Sequence, residues 1–133
     1  MLLKDIKNIL KCRSLTSEKL LDKEIDYCFG ADLMSDVLRY ARTGSLLLTG
    51  ITNNQVLQVA EIMDLSAIIF VRGKQPEQNI IEQAEVRKLP LLATENLLFD
   101  VCGILYVNGM RGGKTHLEEN NEEASGIQSN ISN

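Results

Sequence analysis

The Gly-Gly-Lys-Thr run at residues 112–115 contains the residue types that could bind a phosphate group. Phosphate-binding loops follow the pattern G-x-x-x-x-G-K-[ST] between a buried strand and a helix, so that backbone N–H groups surround the phosphate. Here Asn108 occupies the position of the first glycine, and Gly109 lies one residue too close. The run also follows a predicted helix instead of a buried strand. We therefore interpret it as part of a polar tail and not as a phosphate-binding loop.

Other residue types that could support catalysis show no productive spacing. The only histidine, His116, lies in the polar C-terminal segment, so no Ser, Cys or Lys has a nearby His in the sequence. Cys12, Cys28 and Cys102 are far apart and odd in number, which argues against a disulfide framework and against a four-thiolate cluster. The aspartates show no metal-ligand spacing. The sequence therefore predicts a protein that is not an enzyme and has no cofactor or metal.

Three short apolar runs dominate the middle of the chain: SLLLTG (45–50), AIIFVRG (67–73) and PLLAT (90–94). A continuous apolar run of this length is typical of a strand covered on both faces. Helix-length segments separate the runs, and strands joined by such crossovers are parallel. With a further strand at 25–29, the pattern predicts a small three-layer α/β domain. Its sheet is mainly parallel and built from alternating strand–helix units.

The flanking helices complete this domain. Residues 2–11 have the spacing of an amphipathic helix, and Asp32 and Asn53 or Asn54 are positioned to cap the second and third helices. A final helix at about 96–108 is expected to turn apolar side chains toward the core and to end at Gly109. Those expected to be buried are Leu98, Phe99, Cys102, Leu105 and Tyr106. We predict one domain over residues 1–110 and a disordered polar tail over 111–133.

Polar residues follow each buried run at the point where the predicted strand ends. Because the carboxyl ends of parallel strands meet at one edge, where ligands of α/β proteins bind, we expect these residues to form a ligand-binding site. Its predicted members are Thr49, Gly50, Thr52, Asn53, Arg72, Gly73, Lys74, Thr94 and Glu95. Helix N-termini and the two cations favour a phosphate or carboxylate. The alternative is that these residues only cap helices in ordinary polar loops.

The charge and hydropathy of the sequence argue against binding to nucleic acid and against a membrane span. The net charge of −4 gives no electrostatic support for nucleic-acid binding. The sequence has no apolar run of 18 residues and no signal peptide, so we expect a cytoplasmic protein without a membrane span.

Three segments of the sequence resemble a known family: GADLMSDVL (30–38), residues 44–85 and LPLLATENLLFDVCGILYVNG (89–109). Together they resemble the DRTGG domain, in the stand-alone form often encoded near iron-only hydrogenase genes of anaerobic bacteria. Where relatives carry Thr-Gly-Gly, this chain has Val71-Arg72-Gly73. The domain is similar to the N-terminal half of HPr kinase/phosphorylase and occurs in pyrophosphatases with CBS domains. The resemblance implies an accessory, regulatory or subunit-association role, with catalysis located elsewhere.

We therefore expect a non-catalytic regulatory or ligand-sensing module that forms a homodimer and binds a small anionic metabolite or nucleotide. The alternative is an accessory or assembly protein that docks on a redox enzyme such as an iron-only hydrogenase. An apolar patch of Leu97, Leu98 and Val101, or the Met1–Leu10 helix, would then contact the enzyme.

Overall fold

The computed structural model describes residues 1–114. Of the predicted tail (111–133), the residues from Thr115 onward, including His116, lie outside the described residues. Within residues 1–114, the fold alternates strands and helices along the chain. The strands are β1 (Arg13–Ser14), β2 (Cys28–Gly30), β3 (Leu46–Thr49), β4 (Ala67–Phe70) and β5 (Leu91–Ala93). The helices are α1 (Leu3–Leu10), α2 (Met34–Tyr40), α3 (Asn54–Ile62), α4 (Gln78–Val86) and α5 (Leu98–Val107), with a 3-10 turn at Glu18–Leu21.

The strands form one sheet in the order β1-β5-β4-β3-β2. The four strands β2 to β5 run parallel to their neighbours, and the short β1 pairs antiparallel with β5. Every residue of β3, β4 and β5 is buried, which is why their sequences read as unbroken apolar runs. The predicted α/β fold with a mainly parallel sheet is confirmed.

Helices cover the two faces of this sheet as separate layers. Helices α1 and α5 pack on one face, where Leu46, Leu48 and Ile69 contribute to the core. Helices α2, α3 and α4 pack on the other face, against residues that include Leu47 and Ile68. Successive strand residues point to opposite faces, so each apolar run supplies both cores. The three layers follow from that alternation.

The inward side of α5 differs from the prediction. Val101 and Leu105 are fully buried, whereas Phe99 is 86% exposed and Tyr106 is 59% exposed. The prediction was therefore wrong for Phe99 and Tyr106. Apolar residues lie on nearly all sides of this helix, so their spacing does not identify the face that contacts the sheet.

The segment that follows α5 packs along the outer edge of β2. Met110 is buried in the core, and the Arg111 carbonyl accepts a hydrogen bond of 3.0 Å from the Cys28 N–H. Lys114 N–H donates to the Tyr40 carbonyl at 2.8 Å. This segment therefore covers an edge strand that would otherwise expose unpaired backbone groups. Among residues 1–114, no helix has the length and apolar content needed to cross a membrane.

Candidate functional site

The carboxyl ends of the parallel strands form the edge where the sequence predicted a ligand site. In the register of the sheet, Thr49 lies beside Phe70, and Phe70 lies beside Ala93. Arg72 and Thr94 follow those strand ends by two residues and one residue, so they lie at the same edge as Thr49. We call the loops after β2, β3, β4 and β5 the strand-end rim (residues 31–33, 50–53, 71–77 and 94–97).

Asp32 forms the centre of the first cluster in the strand-end rim. Its carboxylate accepts hydrogen bonds from the Gly50 N–H at 2.7 Å and from the Thr49 hydroxyl at 3.1 Å. The prediction that Asp32 caps α2 was wrong, because Leu33 is the N-cap residue and no side chain bonds to the cap. Asp32 instead ties the loop after β2 to the end of β3. Thr49 is fully buried, so its hydroxyl is engaged inside the protein.

Arg72 contributes the guanidinium of this cluster. Its Nη2 lies 3.8 Å from Asp32 Oδ2, and both side chains are 44% exposed. The guanidinium lies directly over Gly50, where any Cβ would overlap it. An ion pair of this length and exposure contributes little to stability. Because a guanidinium has five N–H donors, Arg72 keeps donors that a ligand anion could use.

Three backbone N–H groups in the turn that carries Arg72 are already hydrogen bonded. Arg72 has φ +60° and Gly73 has φ +69°, the left-handed region. The N–H groups of Arg72, Gly73 and Lys74 donate to the carbonyls of Asn96, Thr94 and Val71. An anion at this turn would therefore have to use side chains and not the backbone N–H groups.

Glu95 belongs to a second cluster next to that turn. Its carboxylate lies against the Cα of Gly73, and its Oε1 is 3.6 Å from Arg13 Nη1. Arg13 Nη2 also donates to Gln75 Oε1 at 2.9 Å. Glu95 is thus paired with a cation from β1. The side chain of Lys74 is exposed beside this cluster.

Thr94 points away from solvent in the structure. It is 2% exposed, and its hydroxyl donates to the Leu10 carbonyl at 2.9 Å. Asn96 Nδ2 donates to the same carbonyl at 3.1 Å. Both side chains satisfy a carbonyl that α1 leaves without a partner at its C-terminal end. Thr94 therefore anchors α1 to the sheet, and in this conformation its hydroxyl is not offered to a ligand.

Thr52 and Asn53 lie at the start of α3. Asn53 Oδ1 accepts a hydrogen bond of 3.0 Å from Gln55 N–H, which confirms the predicted cap. Both residues line a recess of about 230 Å³ between the beginnings of α3 and α4, together with Asn54, Glu77, Asn79 and Ile80. No acidic residue stands in the first turn of α3, which favours an anion there, but Glu77 opposes it from the facing wall.

The structure adds two residues that the sequence did not place in the site. Asp32 and Arg13 are the ionic partners of the predicted Arg72 and Glu95. Asp32 lies two residues after the end of β2, as Arg72 lies two residues after the end of β4, so the rule on parallel strand ends could have identified it. Arg13 had no such signal, because its strand β1 is only two residues long and antiparallel to β5.

The fold and its strand-end rim define a small α/β module with a cation–carboxylate pair over a glycine. The DRTGG domain model matches residues 5–106, and the chain therefore belongs to the DRTGG domain family. This confirms the resemblance read from the sequence. No curated protein matches this chain at a significant level.

A solved structure with the same fold comes from the regulatory region of Clostridium perfringens pyrophosphatase. It contains CBS and DRTGG domains and was determined in complex with the activator diadenosine tetraphosphate. The TM-score is 0.61 at 17% sequence identity, and the match covers 77% of this chain and 44% of that chain. The likeness shows the shared fold, and the present chain spans less than half the length of that regulatory region.

Proposed function

We propose that this chain is a non-catalytic regulatory module that senses a small anionic ligand at the strand-end rim, with Arg72 as the main contact to the anion. The observation that carries the proposal is the position of the Arg72 guanidinium. It is held over Gly50, is 44% exposed and lies 3.8 Å from the Asp32 carboxylate. A phosphate or carboxylate can accept two parallel N–H bonds from such a group.

Ligands that bear phosphate are the first class to test. The Clostridium perfringens regulatory region that shares this fold was solved with diadenosine tetraphosphate, a nucleotide polyphosphate. Arg72 and Lys74 offer positive charge at the strand-end rim of this chain, and Thr52 and Asn53 offer polar groups at the start of α3. The carboxylates of Asp32 and Glu95 keep the rim from being strongly cationic, so we expect selectivity for a ligand that also donates hydrogen bonds.

The experiment is a calorimetric and thermal-shift screen of the full chain with mononucleotides, dinucleoside polyphosphates, acyl phosphates and simple carboxylates. A ligand that binds the native state raises the melting temperature by mass action. We expect the Arg72→Ala variant to lose that shift and to bind the ligand at least about tenfold more weakly, since a charge-assisted bond contributes about 1.5–3 kcal/mol.

Arg87→Ala is a matched control for this experiment. Arg87 is 45% exposed and pairs with Glu61 at 3.4 Å, but it follows the C-terminal end of α4, at the opposite edge of the sheet. It should keep wild-type ligand binding. A wild-type thermal shift that Arg72→Ala leaves unchanged would exclude Arg72 as the contact. Steady turnover of any ligand by the pure protein would contradict a non-catalytic role.

Most of the apolar residues predicted to dock on a redox enzyme are buried or half-buried in the structure. Val101 is fully buried, Leu98 is half-buried, and Leu3, Ile6 and Leu10 of α1 lie in the core. In the predicted patch of Leu97, Leu98 and Val101, Leu97 is the only exposed residue. A hydrogenase partner and a cytoplasmic location stay predictions that co-purification and fractionation from the host would test.

A further inference from the structure

The outward face of α5 is apolar although nothing in the described chain covers it. Phe99 and Val107 are each 86% exposed, and Tyr106 is 59% exposed. Gly103 lies midway between Phe99 and Val107, at a spacing of four residues that places all three on one side of the helix. The opposite side of the same helix is buried through Val101 and Leu105. Helix α5 therefore has apolar surface on both its inner and its outer side.

The size and charge of this face point to an apolar partner. Large aromatic side chains present about 150–250 Å² each, so the exposed part of the face amounts to on the order of 500 Å². That is near the upper limit for the largest patch on a typical monomer. The groove beside it is lined by Asn96, Phe99, Asp100, Gly103, Ile104, Val107 and Asn108. A single formal charge in that lining gives a charged partner little to recognise.

Packing within the described residues of one protomer gives no reason for a glycine at position 103. A Cβ added at Gly103 would meet no other atom within 4 Å, so packing inside the described chain does not require glycine. Glycine in a helix interior costs about 1 kcal/mol relative to alanine. A close approach by a second helix backbone would explain this glycine, because a residue without a Cβ allows the shortest distance between two helices.

We propose that the outward face of α5 is the interface of a symmetric homodimer, in which two α5 helices cross antiparallel at Gly103. Phe99 lies one turn before the glycine and Val107 one turn after it. Antiparallel pairing therefore places each Phe99 against the partner's Val107. A two-fold symmetric interface buries the same patch on both protomers. The total buried surface is then about 1,000 Å², the lower limit for a specific interface.

The charges at the two ends of α5 fit the same arrangement. Asp100 stands in the first turn, and the Arg111 guanidinium lies at the other end, 3.9 Å from the centre of the Tyr106 ring. In an antiparallel pair, the end that carries Asp100 meets the partner's end that carries Arg111. A parallel pair would bring like charges together at both ends. The antiparallel dimer is therefore favoured by charge as well as by the apolar spacing.

The test is sedimentation equilibrium of the full chain over a wide concentration range. We expect a reversible dimer in the wild type. Phe99→Glu places a charge in the interface, and Gly103→Arg fills the space between the two backbones. Each should raise the dimer dissociation constant by at least about tenfold, the cost of losing a central contact. Circular dichroism would show that both variants keep the fold, since both positions are exposed in the monomer.

Val86→Glu is the control, because Val86 is 83% exposed on α4, on the other side of the sheet. It should dimerise like the wild type. A wild-type chain that stays monomeric at every concentration would overturn the proposal. So would a dimer that persists in Phe99→Glu and Gly103→Arg, or one that Val86→Glu weakens equally. Arg72→Ala should leave the dimer intact, so failure of the ligand proposal would be distinguishable from failure of this one.

Discussion

Gly50 and Arg72 make a contact that one methyl group would change. In Gly50→Ala the new Cβ would overlap the Arg72 guanidinium, which is the movable end of a long side chain. Gly50 has no positive φ, so alanine meets no backbone strain there. We expect Gly50→Ala to cost less than about 1 kcal/mol in urea unfolding, because a half-exposed ion pair contributes little. It should nevertheless weaken binding of any ligand that contacts Arg72.

Gly73→Ala is the contrasting substitution. Gly73 has φ +69°, and a Cβ there would also overlap the Glu95 carboxylate. We expect a loss of about 1–2 kcal/mol in unfolding free energy, the usual cost of a left-handed conformation for a residue with a Cβ. Equal losses for the two glycine variants would contradict the difference in their backbone conformations.

The buried thiols of Cys12 and Cys28 are expected to make the stability of the fold depend on pH above about pH 9. Burial raises the pKa of each thiol from its ordinary 9.0 to about 11. In the unfolded chain these thiols would ionise near pH 9, whereas in the folded protein they keep their protons up to about pH 11. The folded state binds more protons in that window, so stability should fall as pH rises from about 9 to about 11.

Urea unfolding at about pH 8 and about pH 10.5 would measure this loss, with the Cys12→Ala/Cys28→Ala variant as reference. The variant should be less stable at both pH values but should lose less between them. If the wild type and the variant lose stability in parallel, other groups such as lysines account for the pH dependence.

At the scale of elements, α1 is held to the sheet by polar contacts at its C-terminal end. The Leu10 carbonyl accepts from the Thr94 hydroxyl at 2.9 Å and from Asn96 Nδ2 at 3.1 Å. Thr94→Val keeps the side-chain shape but removes one donor from a buried site. We expect a loss of about 1–2 kcal/mol in unfolding free energy. In the Thr94→Val variant, amide hydrogen exchange should show that α1 loses more protection, relative to the wild type, than α3 does. Equal losses in the two helices would mean that α1 does not depend on this contact.

At the scale of the whole molecule, the residues after α5 complete the domain. Met110 is 5% exposed, and the backbone of Arg111 and Lys114 bonds to Cys28 and Tyr40. A chain ending at Gly109 would expose apolar surface and leave the edge of β2 unpaired. We expect it to be less stable than a chain ending at Lys114 by about 2–4 kcal/mol, from one buried side chain and two hydrogen bonds. Equal urea midpoints for the two chains would show that this segment adds nothing to the stability of the fold.

The layered architecture follows from the sequence alone. The runs at 45–50, 67–73 and 90–94 are continuous and short, and helix-length segments separate them. Parallel strands covered on both faces produce that pattern for local reasons of side-chain alternation and crossover length. For the same reason the sequence placed Thr49, Arg72 and Thr94 at one edge. It narrowed the cap of α3 to Asn53 or Asn54, and the structure shows that Asn53 is the cap.

The direction of the side chains at that edge depends on tertiary packing. Asp32 bonds to Gly50 and not to its own helix, Thr94 turns inward to Leu10, and Arg72 lies over Gly50. Each contact joins residues that are far apart in the chain, and its geometry depends on the distances between packed elements. The outward exposure of Phe99 has the same origin. Helix α5 is apolar on nearly all sides, and the sheet it packs on selects the buried side.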